Sequence, residues 1–197
     1  MLFRSSIAAA KAGVTTGEWG AALRRVFGEY RAPTGIGRAA TVGNEGLGAV
    51  RAQVEAVSKV LGRRVKILVG KPGLDGHSNG AEQIAVRARD SGMEVVYEGI
   101  RLTPAQIVRT ALEESVHVVG LSILSGSHLA LVRDVMERMR AEGLCDIPVV
   151  VGGIIPPQDA RALKAMGVAG VYTPKDFQIN DIMADIVRLV ERAPQAA

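Results

Sequence analysis

The sequence predicts a doubly wound α/β fold, in which a parallel sheet carries helices on both faces, and three observations predict it. From Arg64 onward, aliphatic runs alternate with amphipathic segments. Those runs are rich in valine and isoleucine, as strands buried on both faces are. Aromatic residues are only 4% of a chain that is 48% hydrophobic, so its core is aliphatic.

The elements follow in order. MLFRSSIAAAKAG, residues 1–13, has a basic residue and small residues but no apolar run long enough for a leader peptide. TTGEWGAALRRVFGEY, residues 15–30, reads as an amphipathic helix with Trp19, Leu23, Val26 and Phe27 on one side. Residues 31–46 are Gly-rich and aperiodic, which predicts a linker. Residues 47–61 read as a second helix leading into the first strand. Two helices joined by a loose segment do not easily build a core. Residues 1–63 are therefore expected to be a helical extension continuing from a longer chain, and 64–197 the main domain.

The expected strands are VKILV (65–69), EVVY (94–97), VHVVGLS (116–122), PVVVGG (148–153) and GVYT (170–173). The expected helices between and after them are 79–91, 104–114, 128–141, 157–166 and 180–192. In the third of these, Leu129, Val132, Val135, Met136 and Met139 recur at three- and four-residue steps on one face. Pro104 and Pro157 suit a first helical turn, where a missing N–H costs nothing. Gly92, Gly143 and Gly167 each follow a helix, where a left-handed residue closes the last turn. Parallel neighbours need crossover connections. Five strands fit the flavodoxin-like order 2-1-3-4-5, whose ligands bind beyond the carboxyl ends of the strands. DGHSNG after strand one, SILSGSH after strand three and GGIIPP after strand four all fall on that edge.

Bulk properties exclude several functions. The net charge is +4, but basic residues are scattered among acids, as in ARDSGME. No basic stripe or recognition motif marks a nucleic-acid protein. The mild positive charge suits an anionic cofactor or a CoA ester. The single cysteine, Cys145, allows no internal disulfide and reads as a structural or incidental thiol in a reducing cytoplasm. No apolar run approaches the ~20 residues of a membrane helix.

The stretch KPGLDGHSNGAEQ, residues 71–83, carries the chemistry. A neutral imidazole ligates transition metals, and a carboxylate on its second nitrogen fixes the tautomer and raises its basicity. Asp75 and His77 supply that pair. Lys71 can steady the carboxylate, while Gly73, Gly76 and Gly80 let the loop turn and a bulky group approach. A free metal ion normally takes three or four protein ligands, and no such cluster is visible. A lone His–Asp pair therefore suggests a metal that arrives chelated in a macrocycle with one axial position open. Alone, the loop is also compatible with a solvated turn or an acid–base pair. His117 reads as a strand-start residue. His128 either touches a ligand or only sits near a helix N-terminus.

Taken together, Asp75-Gly76-His77-Ser78-Asn79-Gly80, Ser122-Ile123-Leu124 and Gly152-Gly153 resemble the D-x-H-x-x-G / S-x-L / G-G signature of cobalamin-binding domains. The resemblance implies that His77 replaces the cofactor's own base below cobalt, with Asp75 as its partner and Lys71 behind it. It implies that Ser122 and Leu124 contact the displaced nucleotide tail, that Gly152 and Gly153 line its slot, and that Thr173 closes it. It also implies cofactor contacts from Gly76, Ser78, Asn79, Gly80, Ser125 and Gly126.

The likeness extends over residues 64–192 to the C-terminal domain of the methylmalonyl-CoA mutase family, nearest its ethylmalonyl-CoA mutases. It is carried by VGKPGLDGHSNGAEQIAVRARDSGMEVVYEGIRLTP and VVVGGIIPPQDARALKAMGVAGVYTPKDF. It implies adenosylcobalamin, radical isomerisation of an acyl-CoA such as ethylmalonyl-CoA to methylsuccinyl-CoA, and a homodimer at full length. The family's substrate-binding barrel, which holds the acyl-CoA and the acid–base residues, is absent. This chain is thus expected to bind cofactor without turnover and to carry no catalytic residue. The opening Leu2-Phe3-Arg4-Ser5 matches a translated sequencing adapter, so the chain from about Ser6 is expected to be the tail of a longer mutase. A free-standing cobalamin carrier or small mutase subunit, a corrinoid methyl-transfer protein, and a receiver-type module without cobalamin are the competing readings.

Overall fold

Alternation along each strand decides the layers. In β1 (Lys66–Gly70), Ile67 and Val69 join one core cluster and Leu68 the other. In β3 (Val118–Ser122) and β4 (Val149–Gly152), Val118 and Val150 share the side of Ile67. Val119, Leu121, Val149 and Val151 lie on the side of Leu68. A sheet apolar on both faces must be covered on both. The computed structural model describes residues 2–28, 46–176 and 178–193, and in it helices pack on both faces of the sheet.

One face is covered by α5 (Pro104–Glu113), α6 (His128–Ala141) and α7 (Pro157–Ala165), through Ile107, Val132, Val135 and Leu163. The other is covered by α3 (Leu47–Leu61), α4 (Asn79–Asp90) and α8 (Ile179–Arg192), through Val54, Ala81, Ala88, Met183 and Ile186. Fully burying a side chain the size of Val, Ile or Met stabilises by about 1.5–3 kcal/mol. The edge strands are β2 (Glu94–Tyr97) and β5 (Gly170–Tyr172). All neighbours are parallel and the order is β2-β1-β3-β4-β5, the order expected from the sequence.

Local signals act as predicted. Pro104 occupies the first turn of α5, behind a capping box in which Thr103 and Gln106 satisfy each other's backbone N–H groups. Gly92, Gly143 and Gly167 hold φ of +94°, +73° and +100° just past α4, α6 and α7.

The chain divides into two compact units, Met1–Val42 and Gly43–Ala197. The sequence reading groups α3 with the extension. In the structure, Val50, Val54 and Val57 of α3 are buried in the sheet's second core cluster with Met183 and Ile186 of α8. The apolar period of α3 was visible, but its partner, more than a hundred residues away, was not.

The smaller unit contains α1 (Leu2–Lys11) and α2 (Thr16–Phe27). A capping box between Thr15 and Glu18 starts α2, and the Trp19 indole N–H donates to Ser6 Oγ at 3.0 Å. Trp19, Val26 and Phe27 remain exposed. α1 was not anticipated, although its alanines have the highest helix propensity. Almost all of the expected linker 31–46, and the end of the helix expected at 15–30, fall outside the described residues.

Candidate functional site

The three motif loops leave the carboxyl ends of β1, β3 and β4, which are adjacent strands. Lys71 directly follows β1 and is 1% exposed. Its ammonium donates to Asp75 Oδ2 at 3.2 Å and to the Ser122 carbonyl at 3.5 Å. Burying an ammonium is costly without a counter-charge, and Asp75 provides one.

Asp75 accepts from four donors. Oδ1 takes the His77 backbone N–H at 3.0 Å and the His77 ring Nδ1 at 2.6 Å. Oδ2 takes Lys71 Nζ and the Leu124 backbone N–H, each at 3.2 Å. The His77 backbone and ring donors, then Lys71, hold the carboxyl well below the usual carboxylate range, against the opposing effect of burial. The ionised carboxylate can only accept, so Nδ1 carries a proton, and the neutral form of the ring then has its lone pair on Nε2. The His77 side chain is 80% exposed, while that of Asp75 is 6% exposed. The loop therefore presents a free, oriented imidazole nitrogen on a buried charged base.

Glycine supports this geometry unevenly. Gly73 has φ +87°, and a Cβ there would stand 2.9 Å from Leu131 Cδ1. A Cβ on Gly76 would meet only the Arg101 guanidinium at 4.0 Å, and one on Gly80 nothing within 4 Å. Ser78 and Asn79 begin α4, where Ser78 gives no side-chain cap.

Ser122 and Gly152 are register partners, and Gly152 is in turn the partner of Tyr172. These three residues form one row near the carboxyl edge. A Cβ on Gly152 would meet nothing within 4 Å, so open space stands above the row. The Tyr172 hydroxyl lies 3.1 Å from where a Cβ on Gly170 would stand, so its ring folds back along β5. Burial, then the nearby Asp185 charge, pushes the Tyr172 phenol up to about 12.

Gly153 differs from Gly152. A Cβ there would stand 1.9 Å from the Ile123 carbonyl oxygen, because the loops after β3 and β4 touch by their backbones. Ser125 and Gly126 sit on the first of these loops, where the Ser125 hydroxyl pairs with Ser127 at 2.7 Å. The Thr173 hydroxyl donates to Asp176 within its own turn.

Some residues lay beyond sequence reasoning. Leu74 and Ile154, on two of the edge loops, are 90% and 63% exposed. Arg101, beside Gly76, has φ +62°, uncommon for a residue with a side chain. The Leu124 N–H on Asp75 depends on the loop path, which no spacing rule reports. His128 is buried against Asp159 at the start of α6. His117 accepts the Lys66 N–H on Nδ1 at 2.9 Å, where β3 begins. Among the described residues, no group of three His, Cys, Asp or Glu could hold a metal ion, and no helix is long and apolar enough to cross a membrane.

Comparison with known proteins adds four findings. The model of the B12 binding domain matches residues 65–176. The chain is 64% identical over 193 residues to an ethylmalonyl-CoA mutase of Cereibacter sphaeroides, covering 98% of this chain and 29% of that protein. It is 57% identical over 188 residues to an ethylmalonyl-CoA mutase of Methylorubrum extorquens, covering 95% of this chain and 27% of that one. It thus spans less than a third of the length of these relatives. In fold it resembles a cobalamin-binding protein of Desulfitobacterium hafniense, with a TM-score of 0.54, 24% identity, and coverage of 87% of this chain and 75% of that one.

Proposed function

Since the chain belongs to the B12-binding domain family, we propose that it holds adenosylcobalamin for a radical acyl-CoA mutase, with His77 as the lower axial ligand of cobalt. The observation that carries this reading is the Asp75–His77 contact. Nδ1 is committed to a carboxylate at 2.6 Å on a side chain that is 80% exposed, which leaves Nε2 as the ligating atom.

The surroundings fit a large, partly apolar cofactor. Leu74 and Ile154 offer exposed aliphatic surface to the macrocycle. The open space above Gly152, beside Ser122, suits the displaced nucleotide tail. Bound adenosylcobalamin supplies radical chemistry through its cobalt–carbon bond. The chain's own residues bind and orient. His77 ligates, Asp75 fixes its tautomer, Lys71 neutralises Asp75, and the Leu124 backbone N–H holds the carboxylate.

The identity to ethylmalonyl-CoA mutases supports ethylmalonyl-CoA as the substrate of the whole protein. That substrate would be bound by the part of the relatives that this chain does not span, in a homodimer. A free exposed thiol at Cys145 suits a reducing cytoplasm.

The test is cobalamin titration of the nitrogen-15-labelled chain, followed by absorption and by paramagnetic resonance of the cob(II)alamin form. Splitting of the cobalt signal by a protein nitrogen is expected. Tight binding without it removes His77 from cobalt, and absence of binding removes the cofactor assignment from this chain.

A further inference from the structure

Behind the carboxyl edge lies a buried histidine–carboxylate pair that the proposed cofactor contacts do not include. His128 opens α6 and is 2% exposed. Asp159 lies in the first turn of α7. The ring Nε2 donates to Asp159 Oδ2 at 2.8 Å, and Nδ1 lies 3.3 Å from the Ser125 carbonyl oxygen. A buried imidazole needs partners, and Asp159 supplies one from a different helix. Neither pair member is the N-cap residue, and the N-cap residues Ser127 and Pro156 make no side-chain cap.

The pair ties α6 to α7 at their first turns, and so links the two loops that precede them. At their base the loops are already fixed, because the Ile123 N–H donates to the Gly152 carbonyl at 2.9 Å. Leu124 and Ser125 lie between that point and His128. The Leu124 N–H donates to Asp75 Oδ2 at 3.2 Å. An unbroken series of contacts and adjacent residues therefore runs from Asp159 through His128, Ser125, Leu124 and Asp75 to His77.

We propose that His128 and Asp159 are positioning residues: their pair anchors the β3–α6 loop so that Leu124 stays hydrogen-bonded to Asp75 and His77 keeps the orientation that presents Nε2 to cobalt. The proposal rests on the reading of His77 as axial ligand. Neither residue is among the cofactor contacts proposed above. Partners that orient a metal ligand through a hydrogen bond typically contribute about 10–100-fold to metal affinity. A clamp two contacts further out acts at the lower end of that range.

The test uses the full chain, labelled with nitrogen-15 and loaded with cob(II)alamin, as wild type, Asp159→Ala and Asp159→Asn. The readout is the ratio of bound cobalamin with a protein nitrogen on cobalt to bound cobalamin without one. In Asp159→Ala this ratio should fall by roughly tenfold. Asp159→Asn keeps an oxygen acceptor for Nε2 and should restore most of it. A pair that only joined two helices would lower the melting temperature and leave the ratio unchanged in folded, loaded protein, and that result overturns the proposal. Should Asp159→Ala fail to fold, His128→Gln breaks the ring's contacts and is judged by the same ratio. Failure of the axial reading is separate, because it appears as absent splitting in the wild type.

Discussion

Asp75 and His77 share two hydrogen bonds, backbone N–H to Oδ1 at 3.0 Å and ring Nδ1 to the same oxygen at 2.6 Å. The carboxylate is thereby the anchor of its own loop as well as the counter-charge of Lys71.

This makes the two ends of the Lys71–Asp75 pair unequal. Asp75→Ala leaves a buried ammonium with only the Ser122 carbonyl at 3.5 Å. Breaking a deep pair costs about 3–5 kcal/mol, and a position at the sheet edge, where water enters, lowers this to roughly 2–3 kcal/mol. Lys71→Met leaves the carboxylate three other donors, so the loss should be about 1 kcal/mol. Urea unfolding of the two variants checks the order, and equal losses would contradict it.

The same carboxylate sets an acid dependence. Its folded pKa is held well below the ordinary 3.8, so the unfolded chain takes up the proton first as pH falls. The stabilisation is complete above the unfolded value and is lost as pH falls from there towards the folded one. The stability difference between wild type and Asp75→Asn should therefore shrink steadily below about pH 4, and unfolding curves between mild and strong acid will show whether it does.

At the alkaline end, Tyr172 has the opposite sign. Burial raises its phenol from the ordinary 10.0 to about 12. The unfolded chain loses its proton first as pH rises, so stability present below pH 10 is lost between 10 and 12. Allowing for the ring's partial contact with water, the effect is roughly 1–2 kcal/mol. Tyr172→Phe should lack this alkaline component, which paired melts across that range will test.

Much of this was legible in the sequence because the signals were local. VKILV and PVVVGG announce strands buried on both faces, and Asp75 and His77 are two residues apart, so their contact follows from one tight loop. What escaped required tertiary contact. Asp159 meets His128 across 31 residues, and Val54 of α3 finds its core with Met183 of α8. Leu124 reaches Asp75 through a backbone N–H, which leaves no mark in side-chain identity. Gly152 and Gly153 look alike in sequence, and only backbone geometry separates their surroundings.

A Cβ on Gly153 would stand 1.9 Å from the Ile123 oxygen, so Gly153→Ala must push apart the loops after β3 and β4. Overpacking of this kind costs about 1–3 kcal/mol, and backbone against backbone lies at the upper end. A Cβ on Gly152 would meet nothing within 4 Å, so Gly152→Ala should melt within about 0.5 kcal/mol of wild type. If the space above Gly152 receives the nucleotide tail, the same methyl should weaken cobalamin binding by roughly tenfold or more. It should leave cobinamide, which lacks the tail, almost unaffected. Thermal melts and two titrations decide the matter. Equal affinity of wild type and Gly152→Ala for cobalamin would place the tail elsewhere on the edge.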